Sequence, residues 1–183
     1  SWKSPISGKS LVQSSLRLGQ IQIDDESIYW SEGRPAEKGR TALMTWTDNK
    51  IHEITSDDSD VRTRAHEYGG GAFLCVKEHY FYINNSDQQI YEVHENGEPR
   101  QVTNHPEYRF ADMILDQKRG SLYVVGENHA DSQNIKNCLL RITLDGGGLQ
   151  IIAEGHDFFS NPQLSPDGSQ LLFLAWDHPN MPW

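Results

Sequence analysis

The residues with the clearest capacity for chemistry lie in one stretch of the chain, residues 61–76. Five polar side chains, those of Arg62, Arg64, His66, Glu67 and Tyr68, precede three consecutive glycines and an apolar run. A carboxylate binds an ammonium group, and a guanidinium binds a carbonyl or a carboxylate. We therefore predict that these five residues form a substrate-binding loop. The alternative interpretation is that Arg62, Arg64 and Glu67 pair with one another and only hold the loop, because structural ion-pair networks also gather charge.

The three glycines, at positions 69–71, do not form a phosphate-binding loop. Such a loop needs a helix N-terminus after the glycines and usually ends in Gly-Lys-Ser or Gly-Lys-Thr. Here the apolar segment Ala-Phe-Leu-Cys-Val follows instead, and it is typical of a β-strand. Glycine inside a strand pattern indicates a bulge, or a close approach by another backbone or a ligand. We predict polar side chains at the mouth of a strand that runs down a crowded axis.

Nothing else in the sequence makes up a complete catalytic or metal site. An α/β-hydrolase needs Gly-x-Ser-x-Gly at a strand-to-helix turn, and no such pentapeptide occurs. The zinc-peptidase motif His-Glu-x-x-His is also absent, and the eight histidines lack metal-ligand spacing. We therefore assign no catalytic residue, no metal ligand and no cofactor to residues 1–183.

Charge and cysteine content limit the partners and the compartment. The 183 residues include 16 Lys and Arg against 26 Asp and Glu, for a formal net charge of -10. We do not expect so acidic a chain, without a basic stripe, to bind nucleic acid or an anionic membrane. No apolar run reaches the length of a membrane helix. The only cysteines, Cys75 and Cys138, lie in apolar segments, which predicts buried free thiols and a reducing, cytoplasmic location.

The elements that must position the polar stretch are short strands in a repeating order. Their second members are centred on Tyr29, Phe81, Tyr123 and Phe173, at intervals of about 40 to 50 residues, which is the spacing of propeller blades. The segment 111–119 is short and interrupted by two aspartates, so we interpret it as a strand and a turn rather than a helix. The prediction is an all-β, partial β-propeller of about three and a half four-stranded antiparallel blades.

Five motifs, in order, resemble the propeller domain of bacterial prolyl oligopeptidase-family serine peptidases, the acylaminoacyl-peptidase and dipeptidyl-aminopeptidase-like enzymes. They are Ser-Trp-Lys-Ser-Pro-Ile at 1–6, Ile-Tyr-Trp-Ser-Glu-Gly-Arg-Pro at 28–35, the stretch 62–71, Asn-Pro-Gln-Leu-Ser-Pro-Asp-Gly at 161–168, and Trp-Asp-His-Pro-Asn-Met-Pro-Trp at 176–183. Leu-Ser-Pro-Asp-Gly alone marks many propellers, including the TolB type. Together the motifs extend over essentially the whole chain.

The resemblance implies an N-terminal propeller that covers a C-terminal α/β-hydrolase domain with a Ser-Asp-His triad. Such a propeller gates access, admits short peptides and helps orient their N-termini. We expect residues 1–183 to be a fragment of this propeller, with the hydrolase domain absent and peptides as substrates of that domain. Because the fourth repeat stops after its second strand, we also expect self-association through the exposed strand at residues 171–176 and bare blade faces.

Two other classes of protein are compatible with a propeller. A TolB-like propeller would bind proteins without catalysing a reaction. A propeller lactonase would hold a metal at the ring axis, which the sequence disfavours because no convergent set of Glu, Asn, Asp and His residues stands out.

Overall fold

The computed structural model describes residues 16–67, 69–94, 98–146 and 148–181. In this part of the chain, the strands form three four-stranded antiparallel sheets and one two-stranded sheet. Each sheet is a meander in which consecutive strands pair, so each sheet is one propeller blade. The prediction of an all-β, partial propeller with about three and a half blades is confirmed.

The strands are numbered in chain order. Blade 1 comprises β1 (Arg17–Asp24), β2 (Ser27–Arg34), β3 (Arg40–Thr47) and β4 (Lys50–Glu53). Blade 2 comprises β5 (Phe73–Val76), β6 (His79–Ile83), β7 (Ile90–Val93) and β8 (Pro99–Gln101). Blade 3 comprises β9 (Tyr108–Asp116), β10 (Ser121–Asn128), β11 (Lys136–Thr143) and β12 (Leu149–Glu154). Blade 4 comprises β13 (Phe158–Leu164) and β14 (Leu171–Trp176).

The repeat read from the sequence matches these blades. Tyr29, Phe81, Tyr123 and Phe173 lie in β2, β6, β10 and β14, the second strands of their blades. The segment 111–119 is the end of β9 followed by a single 3-10 turn, Gln117–Arg119, so its interpretation as a strand and a turn is confirmed.

The first strands of successive blades contact one another: β1 contacts β5, β5 contacts β9, and β9 contacts β13. Strands that meet in this way surround the propeller axis, and the last strand of each blade lies outside. Since strands alternate in direction within a blade, the connections between blades lie at the same end as the loops between second and third strands. The segment 54–72, which joins blades 1 and 2, therefore lies at the same end of the propeller as the β10–β11 loop.

Apolar side chains fill the spaces between neighbouring blades. Large, fully buried members of these clusters are Leu43, Phe73, Phe81, Phe110, Leu122, Leu139 and Phe159. Burial of one such side chain contributes about 1.5–3 kcal/mol, so the contacts between blades hold the sheets together. Cys75 and Cys138 are buried free thiols in these clusters, as predicted. Burial, with the nearby Glu154 carboxylate, raises the pKa of Cys138 to about 12, and burial also raises the pKa of Cys75.

Two apolar surfaces are exposed at the two ends of the blade series. On β1, Ile21 and Ile23 are 68% and 69% exposed, and on β14, Leu172 and Leu174 are 70% and 56% exposed. Within the described ranges, β14 pairs with β13 alone, so its other edge has no strand partner. No helix in these ranges has the length and hydropathy that a membrane span requires.

Candidate functional site

An extended segment carries the predicted site residues from blade 1 to blade 2. Its side chains alternate, because Val61, Thr63 and Ala65 are buried while Arg62 and Arg64 are exposed. This period of two is that of a strand with one face in the core. The local sequence therefore places the two guanidinium groups on the outer face of the segment.

Backbone and hydroxyl contacts tie the segment to three blades. The Val61 N–H donates to a carbonyl oxygen of β3 at 2.8 Å, and the Arg62 N–H donates to Ile83 O of blade 2 at 3.0 Å. The Thr63 hydroxyl donates to the backbone carbonyl of Phe110 in blade 3. The positions of the polar residues are therefore fixed by the propeller rather than by the segment alone.

The segment ends in a turn of unusual backbone conformation. His66 and Glu67 have φ angles of 57° and 65°, in the left-handed region that side chains other than glycine adopt uncommonly. The Gly69 N–H closes the turn on Ala65 O at 2.9 Å. Glu67 is directed outward by this turn, and its side chain is 85% exposed.

The glycines that follow allow a close approach by β9, as the sequence predicted. A Cβ atom on Gly70 would lie 2.9 Å from the Cβ of Ala111, and one on Gly71 would lie 2.9 Å from Asp112 Oδ1. The Gly71 N–H donates to Asp112 Oδ1 at 2.6 Å, and the Asp112 N–H donates to Gly71 O at 2.9 Å. Asp112 also accepts from the Asn161 N–H at 3.1 Å, so one carboxylate joins blades 2, 3 and 4 near the axis.

Glu67 belongs to a charge network that the sequence did not reveal. Arg109 Nη1 lies 3.1 Å from Glu67 Oε1 and 3.6 Å from Glu127 Oε2. Glu127 is nearly buried and accepts from the His66 N–H at 3.0 Å, and His129 Nε2 lies 2.6 Å from its other oxygen. Arg109 and Glu127 face each other in the pairing of β9 with β10. Blade 3 therefore contributes three charged or titratable side chains to the site, those of Arg109, Glu127 and His129.

Within the described ranges, the charged side chains of Arg62, Arg64 and Glu67 do not pair with one another. Glu67 pairs with Arg109, and Arg64 Nη2 donates to the Asn85 backbone carbonyl at 3.4 Å. Arg62 makes no ion pair within the described ranges. The alternative in which Arg62, Arg64 and Glu67 only pair among themselves is therefore wrong. Tyr68, the fifth predicted residue, lies outside the described residues.

His66 and Glu67 open onto a cleft of about 680 Å³ between the crossing segment and blades 3 and 4. Its charged and titratable lining residues are His66, Glu67, Glu127, Lys136, Glu154, His156, Asp157 and His178. Four carboxylates outnumber the two cations, Lys136 in the lining and Arg109 paired with Glu67 and Glu127, so the cleft carries net negative charge at neutral pH. Such a cleft is suited to a cationic group such as a peptide ammonium.

Two reciprocal His–Asp pairs form the far wall of this cleft. His156 Nδ1 lies 2.9 Å from Asp177 Oδ2, and His178 Nδ1 lies 2.8 Å from Asp157 Oδ2. Hydrogen bonds from the backbone N–H and the ring of His178 lower the pKa of Asp157. The His156 ring and the Asp157 N–H likewise lower the pKa of Asp177. Both carboxyl groups are therefore ionised at neutral pH, and they hold the start of β13 against the segment after β14.

In the described ranges, no group of three or more His, Cys, Asp or Glu side chains is arranged to hold a metal ion. The arrangement instead offers fixed negative charge beside the aromatic ring of Phe158, which packs against the His66 ring with centroids 5.5 Å apart.

Two solved structures are similar to the whole of this chain. A puromycin-hydrolyzing peptidase of Mycobacterium tuberculosis matches 100% of this chain with 31% sequence identity and a TM-score of 0.89. A puromycin hydrolase mutant complexed with PGG also matches 100% of it, with 28% identity and a TM-score of 0.92. This chain spans 31% of the length of each.

A more distant likeness concerns the fold alone. A putative TolB from Agrobacterium tumefaciens matches 85% of this chain and 52% of its own length, with 16% identity and a TM-score of 0.59. No family model matches the sequence. No curated protein matches it.

The fold and the whole-length similarity define this chain as a partial β-propeller that is similar to part of the puromycin-hydrolyzing peptidase. It matches the N-terminal propeller portion of prolyl oligopeptidase-family peptidases, which confirms the resemblance based on motifs. Of those motifs, residues 1–6 and the final two residues lie outside the described ranges, whereas 28–35 and 161–168 form β2 and the β13–β14 hairpin.

Proposed function

We propose that this chain is the gating and substrate-recognition propeller of a serine peptidase that hydrolyses short peptides, an aminopeptidase or acylaminoacyl-peptidase. The observation that carries the proposal is the match of the whole chain, at 31% identity, to a puromycin-hydrolyzing peptidase. The likeness to TolB is weaker in identity and TM-score, and it supports no separate activity. The buried free thiols favour a reducing, cytoplasmic location.

The site supports a recognition role for Glu67 in particular. Its side chain is 85% exposed at the mouth of an anionic cleft, and the left-handed turn fixes its direction. Among the described residues, the cation paired with it is Arg109, which is shared with Glu127, so a substrate ammonium can compete for the Glu67 carboxylate. In this proposal the propeller orients the peptide N-terminus, and the triad that cleaves the bond belongs to a hydrolase domain.

The proposal is tested by kinetics of the parent enzyme carrying Glu67→Gln. We expect kcat/KM for peptides with a free N-terminus to fall about tenfold, the effect of one charge-assisted contact worth about 1.4 kcal/mol. The melting temperature should not change, because Glu67 is exposed. Peptides with an acetylated N-terminus should be unaffected if the contact is to an ammonium group. Glu26→Gln, an exposed glutamate in the β1–β2 turn, is the matched control.

The result that would contradict this role is a lower melting temperature with unchanged kinetics of the surviving protein. Glu67 would then only stabilise the loop through Arg109. Equal losses for free and acetylated substrates would instead assign Glu67 to a general effect on the cleft, and recognition of the N-terminus would be rejected.

A further inference from the structure

A second cavity lies on the other side of the crossing segment, between blades 1 and 2. Its volume is about 820 Å³, and the extended residues from Val61 to Thr63 form one wall. Three arginines, Arg17, Arg34 and Arg62, line it, and no acidic residue of the described ranges does. The chain as a whole carries a net charge of -10, whereas the charged residues that line this cavity are all arginines.

The three arginines differ in how their charge is already balanced. Arg34 is held by Glu53 at 2.7 Å and by Glu32 at 3.0 Å. Burial opposes its charged form, but the hydrogen bonds to these two carboxylates raise the pKa of Arg34 above its usual value. Arg34 is therefore a fixed, compensated part of the wall.

Arg17 and Arg62 have no such partners among the residues that the structure describes. Neither guanidinium makes an ion pair or a side-chain hydrogen bond with any residue in the described part of the chain. The backbone of Arg62 is nevertheless fixed, since its N–H donates to Ile83 O at 3.0 Å. A guanidinium on a fixed backbone is a ready donor for the two oxygens of a carboxylate, which it binds with two parallel hydrogen bonds.

Glycines keep the cavity open beside these arginines. Five of its lining residues are glycine, at positions 19, 33, 39, 69 and 70. At Gly39, for example, a Cβ atom would meet no other atom within 4 Å, so the space beside this glycine is open. Backbone alone therefore forms much of the wall, and space remains for a ligand group to reach the arginines.

The two cavities of opposite charge flank the same segment. Arg62 lines the cationic cavity, and Glu67, five positions later, lines the anionic cleft. Extended chain advances about 3.3–3.6 Å per residue, so the four residues 62–65 span about 10–14 Å, which is also the length of an extended tri- or tetrapeptide. A free peptide of that size carries an ammonium at one end and a carboxylate at the other.

We propose that the cavity lined by Arg17 and Arg62 binds the C-terminal carboxylate of a short peptide whose N-terminal ammonium occupies the cleft at Glu67. This inference rests on the proposed peptide-recognition function, and it specifies the substrate class as free tri- and tetrapeptides rather than internal segments of proteins. The propeller then selects substrates by length, because both charged ends must reach their sites at once.

The test is calorimetric titration of this chain with trialanine, with trialanine amide and with inorganic phosphate. We expect the free acid to bind at least tenfold more tightly than the amide, because the amide has no anionic group for the guanidinium. Arg62→Gln should reduce this ratio to less than threefold. Lys50→Gln, which removes an exposed charge at the opposite end of blade 1, should leave the ratio unchanged. Phosphate should bind more weakly than trialanine, since it lacks an ammonium.

The outcomes separate this inference from the function on which it rests. Binding of acid and amide with equal affinity, both weakened by Glu67→Gln, rejects the carboxylate site and leaves peptide recognition intact. Phosphate that binds as tightly as trialanine and displaces it shows a general anion site and also rejects the inference. Absence of binding by every peptide rejects the carboxylate site, whereas the peptide-recognition function is rejected only if Glu67→Gln also leaves kcat/KM of the parent enzyme unchanged. If Arg62→Gln lowers the melting temperature, Arg17→Gln is the second variant and must give the same reduced ratio.

Discussion

The side-chain amide of Gln22 in β1 bonds both backbone groups of Cys75 in β5. Its Nε2 donates to Cys75 O at 2.6 Å, and its Oε1 accepts from the Cys75 N–H at 3.0 Å. Two neighbours in β1 act in the same way: Gln20 bonds Phe73 O and the Ala72 N–H, and Asp24 accepts from the Lys77 N–H. Side chains of blade 1 therefore provide hydrogen-bond partners for backbone groups at the inner edge of blade 2.

This contact resolves a problem that every propeller has at its axis. The innermost strand of a blade has one edge without a neighbouring strand, and unpaired backbone groups away from water are costly. In β5 the groups at that edge are Cys75 N–H and C=O, within a residue that is fully buried. Alternate residues of β1 point toward them, because the side chains of a strand alternate between its two faces.

Replacement of Gln22 by alanine should destabilise the chain. Both backbone groups of Cys75 lose their partner, and each unsatisfied buried group costs about 1–3 kcal/mol. We expect a loss of unfolding free energy of roughly 2 kcal/mol, measured by urea denaturation. The control is Gln133→Ala in the exposed β10–β11 loop, where the change should be within about 0.5 kcal/mol. Equal effects of the two variants would show that water replaces the Gln22 amide.

Glu92 in blade 2 should make the free energy of unfolding depend on pH. Its side chain is 3% exposed and lies 2.9 Å from His79 Nδ1 and 2.5 Å from Arg100 Nη2. Burial favours the neutral acid, but the hydrogen bonds from His79 and Arg100 outweigh burial and lower the pKa of Glu92. A lowered pKa contributes stability above the ordinary value of about 4.3, and this contribution is lost as pH falls through the lowered pKa.

Glu92→Gln should therefore destabilise the chain near pH 7 by about 1–3 kcal/mol, the cost of a charge-assisted hydrogen bond. The difference from the unsubstituted chain should shrink as the pH falls below about 4. Unfolding free energies at a series of pH values between 7 and 2 measure this effect. Glu78→Gln, at an exposed position in the β5–β6 turn, should show no comparable pH-dependent difference. A Glu92 difference that is constant across the pH range would contradict the assignment.

Much of the blade pattern was predictable from the sequence because each strand has a local signal. The aromatic second strands repeat at a propeller spacing, and the aspartates in 111–119 argued against a helix. The glycine triplet also indicated a close approach, which the structure identifies as β9 at Asp112.

The partners of the candidate site were not predictable in the same way. Arg109 and Glu127 are 42 and 60 positions from Glu67, and they meet it through the register of β9 with β10. No local pattern encodes that register. The left-handed turn at His66 and Glu67 also lacks a sequence signal, because neither residue type favours that conformation as glycine does. The sequence therefore indicates which residues carry charge but not which residues compensate that charge.

Gly70→Ala tests the close approach by β9 directly. The new Cβ would lie 2.9 Å from the Cβ of Ala111, so the backbone near the axis must move. Overpacking of this kind costs about 1–3 kcal/mol, which urea denaturation detects. Gly33→Ala is the matched control, because a Cβ there makes only ordinary contacts, the nearest at 3.4 Å. A Gly70 variant as stable as the Gly33 variant would show that blades 2 and 3 separate easily at the axis.

The exposed edge of blade 4 should make the chain self-associate. Leu172 and Leu174 of β14 are 70% and 56% exposed, and the free edge of the strand offers unpaired backbone groups to a second copy. Repulsion between copies that each carry a net charge of -10 opposes this association, and salt screens the repulsion. We therefore expect the mean mass measured by light scattering to rise with protein concentration and to rise further in 0.5 M salt than in 0.05 M salt.

The variant Leu174→Lys should lower the mean mass, because it places a charge on the associating face, whereas Ile135→Lys in the β10–β11 loop should not. A monomer at all concentrations and salt levels would show that the edge is not an association surface, and a Leu174 variant that associates as before would assign the contact to the apolar face of β1 at Ile21 and Ile23.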